Sequence, residues 1–239
     1  MNYNELNFDA MTREQGLSMS AAFPVLMRKV YVWMTLALLI TGATAYGVAT
    51  SPGIQMALFS NQVLFWGLII AEFALVIGIS AAINRLSLTT ATLMFILYSV
   101  INGAMLSSIF LIYTMSSIAS VFFITAGTFG VMALIGYTTK KDLTSMGKIL
   151  LMALIGIIIA TIVNIFLKSS GLQMIVSYLG VLVFVGLTAY DSQKIKQMLQ
   201  MAPDTSEASQ KLALLGALTL YLDFINLFIY LLRIFGRRE

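Results

Sequence analysis

The chain has 239 residues, of which 59% are hydrophobic and only 10% charged, with a mean hydropathy of +0.93 and a formal net charge of +4. Soluble domains carry roughly 25% charged residues, so this composition excludes an ordinary soluble fold and indicates an integral membrane protein. The absence of cysteine and histidine removes disulfides, thiolate chemistry, His-based metal sites and Ser-His triads, and the modest positive charge fits loops facing anionic lipid, not nucleic acid.

In chain order, the opening MNYNELNFDAMTREQGLSMSAAFP is polar and has no apolar core. It is not a signal peptide, and residues 1–29 read as a short soluble tail. Seven apolar stretches follow: Val30–Ala49, Val63–Ile83, Leu88–Ile112, Ile118–Tyr137, Ile149–Leu167, Leu172–Tyr190 and Leu212–Leu232. Each is long enough to cross a ~30 Å hydrocarbon core as a helix. The connections are short, and Pro24, Pro52 and Pro203 all fall outside the stretches. The expectation is one all-α membrane domain over 30–235, a seven-helix bundle, with a tail over 236–239.

Short-loop cations set the orientation. Arg13, Arg28, Lys29, Arg85, Lys140, Lys141, Lys148, Lys194, Lys196 and Lys211 all fall on one side of the seven stretches, which places the N-terminus in the cytoplasm. The opposite loops carry only Lys168. Arg233, Arg237 and Arg238 break the rule, because an odd number of crossings puts them outside. Either the last stretch does not fully cross, or the earlier loops dominate; the second alternative is preferred.

Two acids lie well inside the apolar stretches, Glu72 and Asp223, and Asp191 sits at the inner edge of the sixth. No lysine or arginine lies mid-span. A charge at the bilayer centre costs on the order of 3 kcal/mol on insertion scales, so such residues face the bundle interior and mark pathways. An unpaired acid there can bind a proton, share one with another carboxyl, or hold a metal cation.

In the last stretch Gly216, Thr219, Asp223, Asn226, Tyr230 and Arg233 recur at spacings of three or four, which places them along one side of a helix. The sixth repeats the pattern more weakly with Ser177, Gly180, Phe184, Thr188 and Asp191. Two polar stripes, each with one aspartate, invite pairing, and paired carboxyls titrate as a unit. The structural alternative is that such stripes glue neighbouring helices by hydrogen bonds. That reading is preferred for Ser177, Thr188, Thr219 and Asn226. It is not preferred for Asp223, because an asparagine would glue at lower cost. Asp191 could also be a solvated interfacial acid beside Lys194, and Glu72 a buried structural one.

The run VFVGLTAYDSQKIK followed by LGALTLYLDFINLFIYLLRIFG closely resembles the last two helices of the Bax inhibitor-1 (transmembrane Bax inhibitor motif) family, in its bacterial branch. The segment GYTTKKDL at 136–143 and the number of spans fit as well, so the resemblance covers essentially the whole chain. It implies a seven-helix bundle whose last helix is enclosed by the other six. It also implies a pH-sensitive calcium leak across a bacterial inner membrane, with Asp191 and Asp223 as the proton-sensing pair and as transient calcium ligands. Meeting of the two carboxyls requires the sixth helix to continue past Lys194, or the helices to tilt.

Some family members carry an arginine that latches onto the aspartate pair. Here the matching region, SAAINRLSL, offers only Arg85 as the candidate. Candidates for lining an ion route are Glu72, Thr188, Thr219, Asn226 and Tyr230. No resident cofactor is expected; calcium ions, protons and lipid are the expected partners. A second function implied by the resemblance is an interaction protein that modulates a membrane-bound protease or a stress and cell-death response. An aspartyl intramembrane protease needs Gly-x-Gly-Asp around its second acid, whereas Leu220, Tyr221 and Leu222 precede Asp223, so no enzymatic activity is expected.

Overall fold

The computed structural model describes residues 3–238, with side chains from residue 21 onward. Its elements are α1 (Tyr3–Ala49), α2 (Pro52–Ser60), α3 (Gln62–Ala82), α4 (Leu88–Leu106), a 3₁₀ turn (Ser107–Leu111), α5 (Met115–Thr138), α6 (Thr144–Leu167), α7 (Ser170–Gln200) and α8 (Glu207–Phe235). All except α2 and the 3₁₀ turn are apolar and long enough to span a bilayer, the turn continuing the span begun by α4. The seven expected crossings are therefore present, and several ends differ from the apolar stretches.

Ahead of the expected start at Val30, α1 is already helical, and Ala22 and Leu26 are buried against the bundle. The backbone of α1 also runs helically through most of the expected soluble tail. At the other end of the chain, α7 continues ten residues past Tyr190. The physical reason is shared. Polar residues end an apolar run, but Gln, Lys, Met and Leu remain good helix formers, so DSQKIKQMLQ leaves the lipid without leaving the helix. The short α2 was not expected; Pro52 opens it at the first helical position, where its missing N–H is no loss. The expected stretch Leu88–Ile112 tightens at its end. The Ser107 and Ser108 hydroxyls bond back to Ala104 O (2.6 Å) and Met105 O (3.0 Å), which favours the narrower 3₁₀ turn.

The helices group as α1, α3 and α4 on one side and α5, α6 and α7 on the other, with α8 between them touching α1, α4, α5 and α7. Burial follows this order. In α8, 67% of the most apolar window is buried, against 6% in α3 and in α6. The last helix is thus the core of the bundle, and α3 and α6 present apolar faces to lipid.

Hydrogen bonds gather the basic loops at one end, here the inner end. Glu207 Oε1 accepts from Leu88 N (2.7 Å) and Lys211 Nζ donates to Leu86 O (3.0 Å), which ties the start of α8 to the α3–α4 turn. At the outer end Arg237 O accepts from Thr114 N (3.1 Å) and Arg237 N donates to Ser117 Oγ (2.9 Å). The segment after α8 is therefore fixed to the α4–α5 connection, and α8 runs the full length of the bundle.

Two loop acids at the inner end are capped. The Thr144 hydroxyl and backbone N–H hold the Asp142 carboxyl below the usual carboxylate range. The Ser206 hydroxyl and backbone N–H do the same for Asp204. Depressed acids keep their contribution above the ordinary value near ~4 and lose it only as pH falls further. Neither can respond to pH around neutrality.

Candidate functional site

The polar stripe of α8 faces α7 along an antiparallel seam. Gly216 lies against Ile195, and a Cβ there would stand 3.0 Å from that side chain. Seven residues on, the Asp223 and Asp191 carboxyls come within hydrogen-bonding reach of each other. A further seven residues on, the Tyr230 ring stacks on Phe184 at 5.8 Å. The extension of α7 beyond Lys194 makes the acid contact possible, because Asp191 then sits inside a continuous helix instead of at a frayed end.

Asp191 is fixed from the α5 side by its neighbours. Ser192 Oγ donates to Ala133 O (2.8 Å), and Gln193 bonds both Lys141 O and Leu143 N (2.8 Å each). Lys196 Nζ donates to Tyr137 O (2.8 Å). Helices α5 and α7 approach so closely at Gly136 that a Cβ there would overlap the Ala189 carbonyl, two residues before Asp191. This close backbone approach is the small-residue packing expected of membrane helices.

Asp223 is only 5% exposed, and Asp191 is partly buried. Among the described residues no donor reaches its Oδ2. Two carboxyls can hydrogen-bond only if one carries a proton, and a proton between them would be the donor that Asp223 Oδ2 otherwise lacks. The neighbouring cation is Lys194, whose charge acts on Asp191 and whose Nζ sits 5.8 Å from the Tyr190 ring centre.

The remaining candidates fall in different places. Arg85 is exposed in the α3–α4 turn and is not brought to the aspartates. Glu207 and Lys211 tie that turn to the start of α8, twelve or more residues before Asp223, so the candidate latch is not engaged in this conformation. Thr188 Oγ1 donates to Phe184 O (2.7 Å), Thr219 Oγ1 to Leu215 O (3.1 Å) and Asn226 Nδ2 to Leu222 O (2.8 Å). All three satisfy carbonyls of their own helices, and so the expected interhelical glue is not what these groups form. No set of three or more Asp or Glu residues able to hold a metal ion occurs among the described residues. Calcium takes six to eight oxygens, so two carboxylates give at most a passing contact.

Glu72 is half-buried on α3 and accepts from Asn102 Nδ2 (3.1 Å). Asn102 Oδ1 accepts from the Tyr221 hydroxyl (3.0 Å), which also meets Thr41 Oγ1 (2.7 Å). Thr41 Oγ1 in turn donates to Ser99 O (3.0 Å). Tyr221 precedes Asp223 by two residues, about 200° around the helix, so this network lies on the opposite side of α8 from the aspartates. Glu72 is not brought to the pair. Asn102 and Tyr221 are the residues that the sequence reading missed. The signal was Asn102 itself, an amide deep in an apolar stretch, to which the rule used for the acids applies equally.

Tyr221 is fully buried between the rings of Phe95 (5.6 Å) and Tyr98 (5.7 Å). Tyr221→Phe keeps those ring contacts and leaves the Asn102 oxygen without its donor. A loss of about 1–3 kcal/mol follows, measurable as a lower thermal midpoint in detergent. An unchanged midpoint would show that the hydroxyl ties nothing.

The family model described as "Inhibitor of apoptosis-promoting Bax1" matches residues 24–239. The chain is 54% identical over 221 residues to the inner membrane protein YbhL of Escherichia coli K12, covering 92% of this chain and 94% of that protein. It is 50% identical over 213 residues to a protein of Borreliella burgdorferi, covering 89% and 92%. With the protein RP147 of Rickettsia prowazekii it shares 46% identity over 215 residues, 89% of each chain.

Proposed function

The chain belongs to the Bax inhibitor-1 family and is an integral protein of the bacterial inner membrane, and from that premise we propose that it is a calcium-permeable leak channel gated by protonation of the Asp191–Asp223 pair. The observation that carries this reading is the contact between two acids, one 5% exposed, inside the seam of the central helix. With one proton shared, the two carboxyls bond α7 to α8 and carry a single negative charge, which Lys194 faces. Loss of that proton leaves two like charges in contact in a low-dielectric site. The repulsion is relieved by parting of the helices or by entry of a cation. Either event opens the seam that the shared proton closes.

The seam runs from Gly216 at the inner side to Tyr230 at the outer side, with Thr219 and Asn226 beside it, and these positions would flank an ion when α7 and α8 part. Arg85 and Glu72 have no part in the closed contact. Arg85→Ala is accordingly expected to leave the pH dependence of flux unchanged.

Calcium uptake by proteoliposomes containing a calcium indicator, followed across a pH series through neutrality, tests the proposal. The unsubstituted protein should pass calcium at a rate that changes with pH, while Asp191→Asn should give a flat profile. Asp142→Asn and Asp204→Asn should leave the profile unaltered, because those loop acids stay ionised throughout the series. Flux no greater than in protein-free vesicles, or a pH response that survives in Asp191→Asn, would sink the gate.

A further inference from the structure

The outer end of the bundle carries a concentration of cations that the aspartate seam does not use. Lys168, Arg233, Arg237 and Arg238 lie there. Apart from Glu239, which is outside the described residues, every acid of the sequence lies in the first fourteen residues, mid-bundle or towards the inner end. Short outer segments are ordinarily poor in arginine, so these residues call for a local reason.

Two of them are held in place. The Arg233 guanidinium sits over the Tyr230 ring, 5.4 Å from its centre. That ring is stacked on Phe184 at an interplanar angle of 28°. It lies flush against α7 because residue 180 is glycine; a Cβ there would stand 2.7 Å from the ring. Arg238 is positioned from the other side by its backbone bridge to Tyr113 and by the bonds of Arg237 to Thr114 and Ser117.

Between them opens a cavity of about 360 Å³, lined by Ser170, Gln173, Ser177, Arg233, Ile234 and Arg238. A second, of about 210 Å³, shares Gln173 and Arg233 and adds Thr161 and Asn164. Neither cavity has an acid in its wall. Among the described residues no acceptor or acid pairs with the Arg233 guanidinium, whose N–H groups suit a bidentate contact with a tetrahedral oxyanion. Hydroxyl and amide groups around two cations provide further donors. Arg233 lies ten positions after Asp223, about 15 Å along the helix, which is half of a ~30 Å hydrocarbon core. Arg233 is two residues from the end of α8 at Phe235, so this cavity opens at the outer end of the bundle.

We propose that the outer cavity between α7 and the end of α8 is a binding site for a phosphate group, supplied by an anionic phospholipid of the outer leaflet. The Ile234 wall would take the first part of the lipid's glycerol and acyl region, and the two arginines its phosphodiester. The site is independent of the aspartate pair and stands or falls separately from the gating proposal.

Native mass spectrometry of the full chain, released from bilayers of phosphatidylcholine with and without phosphatidylglycerol, tests this. The unsubstituted protein should retain one phosphatidylglycerol in preference to phosphatidylcholine. The Arg233→Gln, Arg238→Gln double variant should lose that preference about tenfold, the scale of one bidentate charge-assisted contact. Arg237→Gln removes the same unit of charge at the same end but lines a different cavity, and should retain the lipid. Should the double variant fold poorly, Arg238→Gln alone, at an exposed position, must show a partial loss. Inorganic phosphate added to the lipid-free protein distinguishes the sources. Stabilisation by phosphate alone, with no lipid retained, would keep the site and overturn the lipid. Equal lipid retention in all variants, equal loss in Arg237→Gln, or binding of neither probe would overturn the proposal.

Discussion

Asp223→Asn is expected to fold at least as well as the unsubstituted protein and to abolish the pH response of calcium flux. The amide keeps the shape of the acid and can donate a hydrogen bond to Asp191, so the α7–α8 contact survives. It removes the cost of burying an ionisable group that no ordinary donor reaches. What it cannot do is ionise, and the doubly charged state that opens the seam is then gone. The expected readouts are a thermal midpoint in detergent no lower than that of the unsubstituted protein and flux that is flat between two pH values on either side of neutrality. A purely structural Asp223 gives the reverse: a shifted midpoint with the pH response intact.

Gly136→Val should be the most damaging single change outside the pair. The built Cβ at this position overlaps the backbone carbonyl of Ala189, and a backbone atom on a packed helix cannot turn aside as a side chain can. Overpacking costs about 1–3 kcal/mol and sometimes more, and a branched residue against backbone belongs at the upper end. The displacement also falls on the helix that carries Asp191, since α5 and α7 would part at the level of Ser192 and Ala133. A thermal midpoint lowered by a loss of about 3 kcal/mol is expected, together with a weakened pH response in whatever protein folds. Gly156→Val is the control: nothing lies within 4 Å of a Cβ there, and a change within about 0.5 kcal/mol is expected. Equal behaviour of the two variants would contradict the close α5–α7 approach.

The crossings were legible because hydrocarbon selects long apolar runs, and the lone acid of LTLYLDFINLFIY stands out from its run by charge alone. The facing of that acid towards α7 was also legible, since Gly216, Asp223 and Tyr230 repeat at the helical period. Helix ends were not. The apolar run stops at Tyr190, but nothing in DSQKIKQMLQ stops a helix, and α7 goes on to Gln200. The partner of Glu72 was not legible for a different reason. Depth in the membrane can be counted along the chain, whereas the side of the central helix that an α3 residue reaches depends on the packing of α3 against α4. The expectation for Thr188, Thr219 and Asn226 failed because a hydroxyl or amide on a helix has a carbonyl of its own always within reach.

Carboxyl infrared spectroscopy of the protein in proteoliposomes, recorded over the same pH series as the flux, tests the shared-proton gate most directly. Gating by the pair predicts a protonated-carboxyl band that is lost over the pH interval in which flux changes, and that Asp191→Asn and Asp223→Asn each alter. A band that stays constant while flux changes, or one that titrates unaltered in both variants, would contradict it.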